Sequence, residues 1–336
     1  MTPDDGPAKT GQHGLGPHVV GQRVVVRRLL PGQLGPTGGP AFTDVLGICE
    51  SWADGVVVVR REDGTTVPIR IAEIVSGKPV PPRPSRFARW SADEVEARAA
   101  HIVRPIETVH LGDWLLRSTG GSTRRANSLL PVGTPDRPLP EALAAVARFY
   151  GERDRPAWAQ VVAGSEVEAS LLEHGWRPDP GSDTHVMLAG TAGLSRRLRG
   201  HDRAGVRHQG AVDRDWLVGR PEALSDYDRV AAMLELPDAT FASIEHDGRQ
   251  LARGRVNLVE DWALLADLVV QPDHRLEGLA HRITAALTDW AGERGATAML
   301  LQVHSANEPA QRLYDGLGFE LHHTYRYLAP APLAQM

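Results

Sequence analysis

Residues 267–280 read DLVVQPDHRLEGLA. Ala266 to Val270 predicts a buried strand, Pro272 stops it, and Arg275, Glu277, Gly278 and Ala280 predict a tight turn. Leu279, Ile283, Leu287 and Trp290 follow at spacings of four, four and three, the apolar stripe of a helix. A strand that runs through a Gly-containing turn into a helix leaves backbone N–H groups unpaired at the positive end of the helix dipole. That is an anion cradle, and the anion it suits is a pyrophosphate.

Spacing distinguishes this cradle from others built on the same physics. The patterns G-x-G-x-x-G and G-x-x-x-x-G-K-[ST] are absent. Present instead is Arg-x-x-Gly-x-Ala at Arg275, Gly278 and Ala280, directly after Val-x-Pro at Val270 and Pro272. A short apolar strand follows at Ala298 to Val303, and then Asn307, Ala310 and Tyr314, with Gly318-Phe319 behind them. These two motifs, in this order, resemble the GCN5-related N-acetyltransferases (GNAT), over roughly residues 222 to 328. The resemblance implies an α/β (α+β) fold in which a mixed central sheet is flanked by helices, with acetyl-CoA as acyl donor.

The same resemblance assigns roles. Backbone N–H groups of Leu268, Val269 and Val270 would meet the pantetheine and the thioester carbonyl, and those of Leu276, Glu277, Gly278, Leu279 and Ala280 would hold the pyrophosphate. Arg275 would add charge, Asn307 would touch the pantetheine arm or cap its helix, and Tyr314 would donate a proton to the leaving thiolate. Asp267, on the central strand, is the first choice for the base that frees the acceptor amine, ahead of Glu260 and Asp261 at the preceding turn. Cys49 is remote from both motifs, which favours direct attack in a ternary complex over an acetyl-cysteine intermediate.

The rest of the 336 residues divides around this region. Residues 1–17 are rich in Gly, Pro and Thr and predict a disordered leader. Residues 18–80 carry short β-branched runs at Val24 to Arg28, Val45 to Ser51, Val56 to Arg60 and Thr66 to Ile71, separated by turns at Pro31-Gly32, Asp54-Gly55 and Asp63-Gly64. They predict a small all-β barrel, SH3-like or Tudor-like; with only Phe42 and Trp52 to build an aromatic cage, its expected role is packing or docking. Residues 81–88 predict a Pro-rich linker.

Between 89 and 190 the expected order of strand, helix, strand, helix, Gly-aromatic and strand parallels the C-terminal region. It predicts a divergent GNAT-like half that lacks the Arg-x-x-Gly-x-Ala loop and a counterpart of Tyr314, and that completes the fold beside the acceptor site. There Arg124, Arg125 and Asn127 are either acceptor contacts or solvated turn residues. Residues 191–215 predict a polar connection and 216–330 the catalytic domain, opening with a helix from Pro221 to Leu236.

Composition narrows the classes. A formal charge of −5 and a pI near 6.3 argue against general nucleic-acid binding. One cysteine excludes an intrachain disulfide and a Cys-based zinc site, and no apolar run approaches 18 residues, so a cytoplasmic protein without a membrane span is expected. Fourteen histidines show no metal-ligand spacing, and His322-His323, adjacent on a predicted strand, would face opposite ways, so no metal is expected. Two functions remain: an N-acetyltransferase acting on a primary amine of a small molecule (an amino acid such as glutamate) or of a protein, and an acetyl-CoA sensor whose barrel docks a partner.

Overall fold

The computed structural model describes residues 14–35, 38–61, 64–81, 85–121 and 123–331, with backbone alone at 221 and 222. The chain forms two compact units that divide between Pro84 and Ser85.

The first unit is a five-stranded antiparallel sheet: β1 Arg23–Leu34, β2 Pro40–Ala53, β3 Val56–Arg60, β4 Thr66–Arg70 and β5 Ile74–Pro79, in the order β4-β3-β2-β1-β5. Alternate residues Val24, Val26, Val45, Cys49, Val57, Val59 and Ile69 fill its core, the period-two pattern of a sheet buried on one face. Asp54 and Gly55, both at positive φ, close the β2–β3 hairpin as expected. Pro31-Gly32 does not separate strands. Gly32 (φ +77°) sits inside β1, where the register with β2 breaks between Leu30 and Leu34, so the turn signal marks an irregularity within a longer strand. Order begins before His18, since Leu15 is buried in this core. Residues 1–13 of the expected leader, 82–84 of the linker and Asp63 lie outside the described residues.

The second unit runs α1 Ala92–Ala99, β6 Glu107–Leu111, β7 Trp114–Ser118, β8 Leu129–Leu130, α2 Leu139–Gly151, β9 Ala159–Val162, α3 Glu166–Glu173, β10 Trp176–Pro178 and β11 Thr184–Gly190. It continues through α4 Thr191–Arg197, β12 Val206–Gln209, α5 Pro221–Ser225, α6 Tyr227–Leu234, β13 Ala239–His246, β14 Arg249–Val259 and β15 Trp262–Val270. It ends with α7 Leu279–Glu293, β16 Ala298–His304, α8 Glu308–Leu317 and β17 Glu320–Pro330. The helix expected from Pro221 to Leu236 is two helices, because Asp226 leaves helical geometry and caps α6 through Arg229 N–H.

These strands form one sheet in the order β12-β13-β14-β15-β16-β11-β17-β9-β8-β7-β6, with β10 added on β17. It reads alike from both ends. Each half is an antiparallel run (β13-β14-β15; β6-β7-β8) followed by a parallel step, β15 to β16 in one and β8 to β9 in the other. Each half then lends its last strand to its neighbour. β11 pairs with β16, β17 pairs with β9, and the two exchanged strands pair with each other. Residues 89–190 and 216–330 are thus one continuous sheet, not adjoining domains.

The exchange is fixed by side chains as well as by backbone. On β17, Arg326 binds Asp183 and Glu168 at 3.0 and 3.2 Å. His323 lies 2.9 Å from Glu96 on α1, and Glu96 accepts in turn from Gln160 on β9. His322 and His323 do not face opposite ways: the register between β11 and β17 skips His322, and this bulge brings their Nδ1 atoms to 2.8 Å.

Leu188 on β11 is fully buried where the halves meet. Truncation there leaves a cavity in a core shared by both halves, so Leu188→Ala should lower the stability of this unit by about 2–5 kcal/mol. In denaturant titration of residues 85–336 the loss should appear in a single transition. Two separable transitions, only one of them shifted, would mean that the halves fold independently.

Candidate functional site

The site begins where β15 leaves β16. The two strands pair in parallel from Trp262↔Ala298 to Leu265↔Leu301 and no further, so Leu268, Val269 and Val270 keep a free edge on that side. The expected burial of Ala266 to Val270 is only partial, because this part of the strand faces open space. Against β14 the register skips between Arg253↔Val269 and Arg255↔Ala266, and Asp267 takes a positive φ of +54° in the bulge. Gly254 lies opposite. A Cβ there would stand 2.8 Å from Ile283, so a glycine lets α7 press on the sheet beneath the bulge.

The turn behaves as its sequence requires. Leu276 and Gly278 have φ of +67° and +79°, and Gly278 caps α7 without a side-chain bond. The N–H groups of residues 276–281 donate to no backbone carbonyl among the described residues. Glu277 turns aside toward His274, 3.2 Å away. Across the cleft, Asn307 caps α8 by accepting from Ala310 N–H, and its amide nitrogen makes no protein hydrogen bond among the described residues. Tyr314 follows two turns later and packs edge-on against Phe319. Its ring is 8% exposed and its hydroxyl has no protein partner among the described residues; burial pushes the phenol up to about 12.

These elements enclose a cleft of about 560 Å³. Of the residues singled out in the sequence, Leu268, Val269, Val270, Arg275, Leu276, Gly278, Leu279, Ala280, Asn307 and Tyr314 line it, and Glu277 does not. Sequence reading missed His274, His281 and Leu313 in its wall. Leu313 was accessible from spacing, since Asn307, Ala310, Leu313 and Tyr314 form one helical stripe.

Asp267 faces the other way, into a second cavity of about 710 Å³, so that it and its neighbour Leu268 line different cavities. Its carboxylate binds Arg255 at 2.6 Å and also Arg220. Burial alone would raise its pKa, but Arg255, Arg220 and Arg253 hold it at about 2. A carboxylate this acidic, with both oxygens engaged, is a poor base, and the sequence expectation for Asp267 is corrected on that ground.

The same cavity recovers Arg124 and Arg125, both of which have protein partners rather than water alone. Arg125 donates to the Tyr325 hydroxyl at 3.2 Å, and Arg124 binds Asp179 and lies over the Trp158 ring at 4.2 Å. Asn127 is structural: its side chain ties together the backbone at Thr119, Gly120, Gly121 and Thr123. Two polar groups in the cavity wall stay unsatisfied among the described residues, Nη1 of Arg255 and both amide atoms of Gln302. In the first half, a pocket at the ends of β8 and β9, lined also by Asp93 and Glu96 of α1, holds only about 10 Å³.

Known proteins share this arrangement. A family model described as the C-terminal part of the probable histone acetyltransferase Rv0428c matches residues 92–328, and one described as its N-terminal Sm-like domain matches residues 18–78. The chain is 27% identical to the probable histone acetyltransferase Rv0428c of Mycobacterium tuberculosis, over 92% of this chain and 95% of the relative. It is 26% identical to the uncharacterized N-acetyltransferase YobR of Bacillus subtilis, over 64% of this chain and 90% of the relative. In fold it is similar to a GCN5-related N-acetyltransferase from Kribbella flavida, with a TM-score of 0.52 and 21% identity over 75% of this chain and 98% of that one. The small all-β unit is thus matched as Sm-like rather than as SH3 or Tudor, and the chain belongs to the Rv0428c family of GCN5-related acetyltransferases.

Proposed function

We propose that this protein moves the acetyl group of acetyl-CoA to the primary amine of a small, carboxylate-bearing acceptor such as glutamate, by direct attack in a ternary complex. The observation that carries the reading is that two successive residues of β15, Asp267 and Leu268, line two different cavities, which we assign to the acceptor and the donor.

The donor roles follow from the free backbone groups. N–H groups of residues 276–281 and the dipole of α7 would take the pyrophosphate, with Arg275 adding charge at the rim. The free edge of β15 at Leu268 to Val270 would bind the pantetheine amides and polarise the thioester carbonyl. The uncapped amide nitrogen of Asn307 would reach the pantetheine from the other wall.

In the acceptor cavity four guanidinium groups, Arg124, Arg125, Arg220 and Arg255, face two carboxylates, Asp179 and Asp267. The excess of positive charge favours an anionic acceptor and disfavours a polyamine or a basic peptide. Arg125 with no carboxylate partner, the unsatisfied Arg255 Nη1 and the Gln302 amide are the groups a substrate carboxylate would satisfy. Asp267 keeps the arginine cluster in place instead of taking a proton.

The amine loses its proton to water in the open cavity, since both carboxylates there are held by arginines and Nδ1 of His304 already accepts from Ala306 N–H. Nitrogen then attacks the thioester carbon, the C–S bond breaks as the nitrogen gives up its second proton to water, and the thiolate takes a proton from Tyr314, whose phenolate is reprotonated from solvent. A phenol that titrates at about 12 remains protonated at any physiological pH and so is always a donor. A cytoplasmic location agrees with this donor and with a single buried thiol at Cys49.

Release of free thiol from acetyl-CoA in the presence of candidate amines tests the reading. Glutamate and other amino acids should stimulate it; stimulation only by polyamines, aminoglycosides or Lys peptides would overturn the anionic acceptor. Arg125→Gln should raise the acceptor KM about 10- to 100-fold with the acetyl-CoA KM unchanged, the cost of one charged hydrogen bond. Tyr314→Phe should lower kcat by roughly 10²-fold or more with little change in acetyl-CoA affinity; wild-type turnover would remove Tyr314 from the chemistry. Gly278→Asp should abolish acetyl-CoA binding with the fold intact, and calorimetry of the wild type should give one acetyl-CoA per chain, because residues 89–190 lack the Arg-x-x-Gly-x-Ala loop.

A further inference from the structure

Two imidazoles beside the donor cleft have no role in the mechanism above. His281 stands in the first turn of α7, three residues after Gly278, and lines the cleft. His201 comes from the loop after α4, and the two half-buried rings stack with centroids 4.7 Å apart and planes 18° apart. Neither ring makes a hydrogen bond to the protein among the described residues, which is unusual for half-buried imidazoles. A stack this close accommodates one positive charge far better than two.

The charges around the stack are already engaged. On α7, Arg282 faces Asp202 of the loop at 3.7 Å, and Arg203 of that loop binds Asp289 of α7 at 2.8 Å. In the turn His274 faces Glu277 at 3.2 Å, and Tyr314 looks in from α8 as a neutral phenol. Arg275 makes no ion pair among the described residues and is exposed at the rim. Of all these groups only His201 acts on the charge of His281. Burial first, and His201 second, lower the affinity of His281 for a proton in the empty cleft.

We propose that the His201–His281 stack is a proton-linked contact for the phosphates of the bound donor: a pyrophosphate seated on the N–H groups of 276–281 draws a proton onto His281, which then pairs with it. The proposal rests on the reading of the cleft as the acetyl-CoA site. His281 binds its proton more tightly with the anion present than without it, so donor affinity strengthens as pH falls between the free and bound titrations and levels off below the free one.

Isothermal titration of acetyl-CoA between about pH 8 and about pH 6, which brackets the reference imidazole pKa of about 6.5, in two buffers of different ionisation enthalpy, tests this. The wild type should bind several-fold more tightly at the lower pH and take up a fraction of a proton per donor bound. His281→Gln should bind with an affinity close to that of the wild type at the higher pH and lose both the uptake and the gain. His201→Phe keeps the stack but removes the competing charge, and should move the gain to higher pH. 3′-Dephospho-CoA removes the ligand's own titrating phosphate, whose protonation weakens binding at low pH, and should show the same proton uptake. Binding without proton uptake by the wild type, or unchanged uptake in His281→Gln, would overturn the contact and leave the acetyl-CoA site standing. Absence of donor binding at every pH would overturn both.

Discussion

Loss of pairing between two parallel strands after Leu265↔Leu301 is the constraint on which the rest depends. Backbone N–H and C=O groups in a protein interior are almost always paired, so a strand that leaves its neighbour must open toward solvent or a ligand. Here the opened edge of β15, the uncapped start of α7 and the amide of Asn307 converge on the same cleft. The bulge at Asp267 adds a second consequence. By reversing the side-chain direction for one residue, it sends Asp267 into the acceptor cavity while Leu268 to Val270 serve the donor cleft. One strand therefore supplies a wall to each cavity, and in the proposed function the reacting atoms would meet where the two sets change over.

The exchanged strands explain how a half without the Arg-x-x-Gly-x-Ala loop still belongs to the enzyme. Without β11 the edge of β16 would be bare, and without β17 so would β9. Bare edges of that length invite aggregation, so neither half is a self-sufficient sheet. The exchange also carries Tyr325 and Tyr327 from the C-terminal strand into the cavity that holds Arg124 and Arg125 of the first half. The acceptor cavity is thus a product of the seam, whereas the donor cleft lies within one half. Glu96, which lines the small pocket at the ends of β8 and β9 with Asp93, also gives the first half a structural role. Glu96 accepts from Gln160 and faces His323, and so ties α1 to the exchanged strand.

What was legible in the sequence follows the same division. The smaller cleft is built from two short segments, 268–281 and 307–314, so the two motifs and the family they resemble pointed to Gly278, Asn307 and Tyr314 and to most of the lining. The acceptor cavity draws on residues from Ile102 to Tyr327, and no local pattern links Arg125 to Tyr325 or Arg220 to Asp267. Arginines in a Gly-rich turn look solvated until the exchanged strand covers them. The strand exchange left no trace in periodicity either, because β11 and β17 have the alternation of any buried strand whichever neighbours they pair with. The bulges at His322 and within β1 were hidden for a related reason: a one-residue register skip is set by the partner strand, not by the residues that bulge.

Asp267 shows how far a residue type constrains a role. A carboxylate on the central strand beside the thioester position meets the positional requirement for a base, and sequence can go no further. The role is decided by Arg255, twelve residues earlier on the neighbouring strand, and by Arg220 in the connection before α5. Two guanidinium groups turn a proton acceptor into an anion that cannot be spared, since removing it would leave buried cations facing one another. The cluster it organises carries the excess positive charge of the cavity, so in the proposed function Asp267 would act on the acceptor by fixing where its carboxylate can sit. On the proposed function, chemistry at the amine would then be left to water and to geometry, which suits a reaction whose electrophile is already activated as a thioester and whose leaving group would need only the Tyr314 proton.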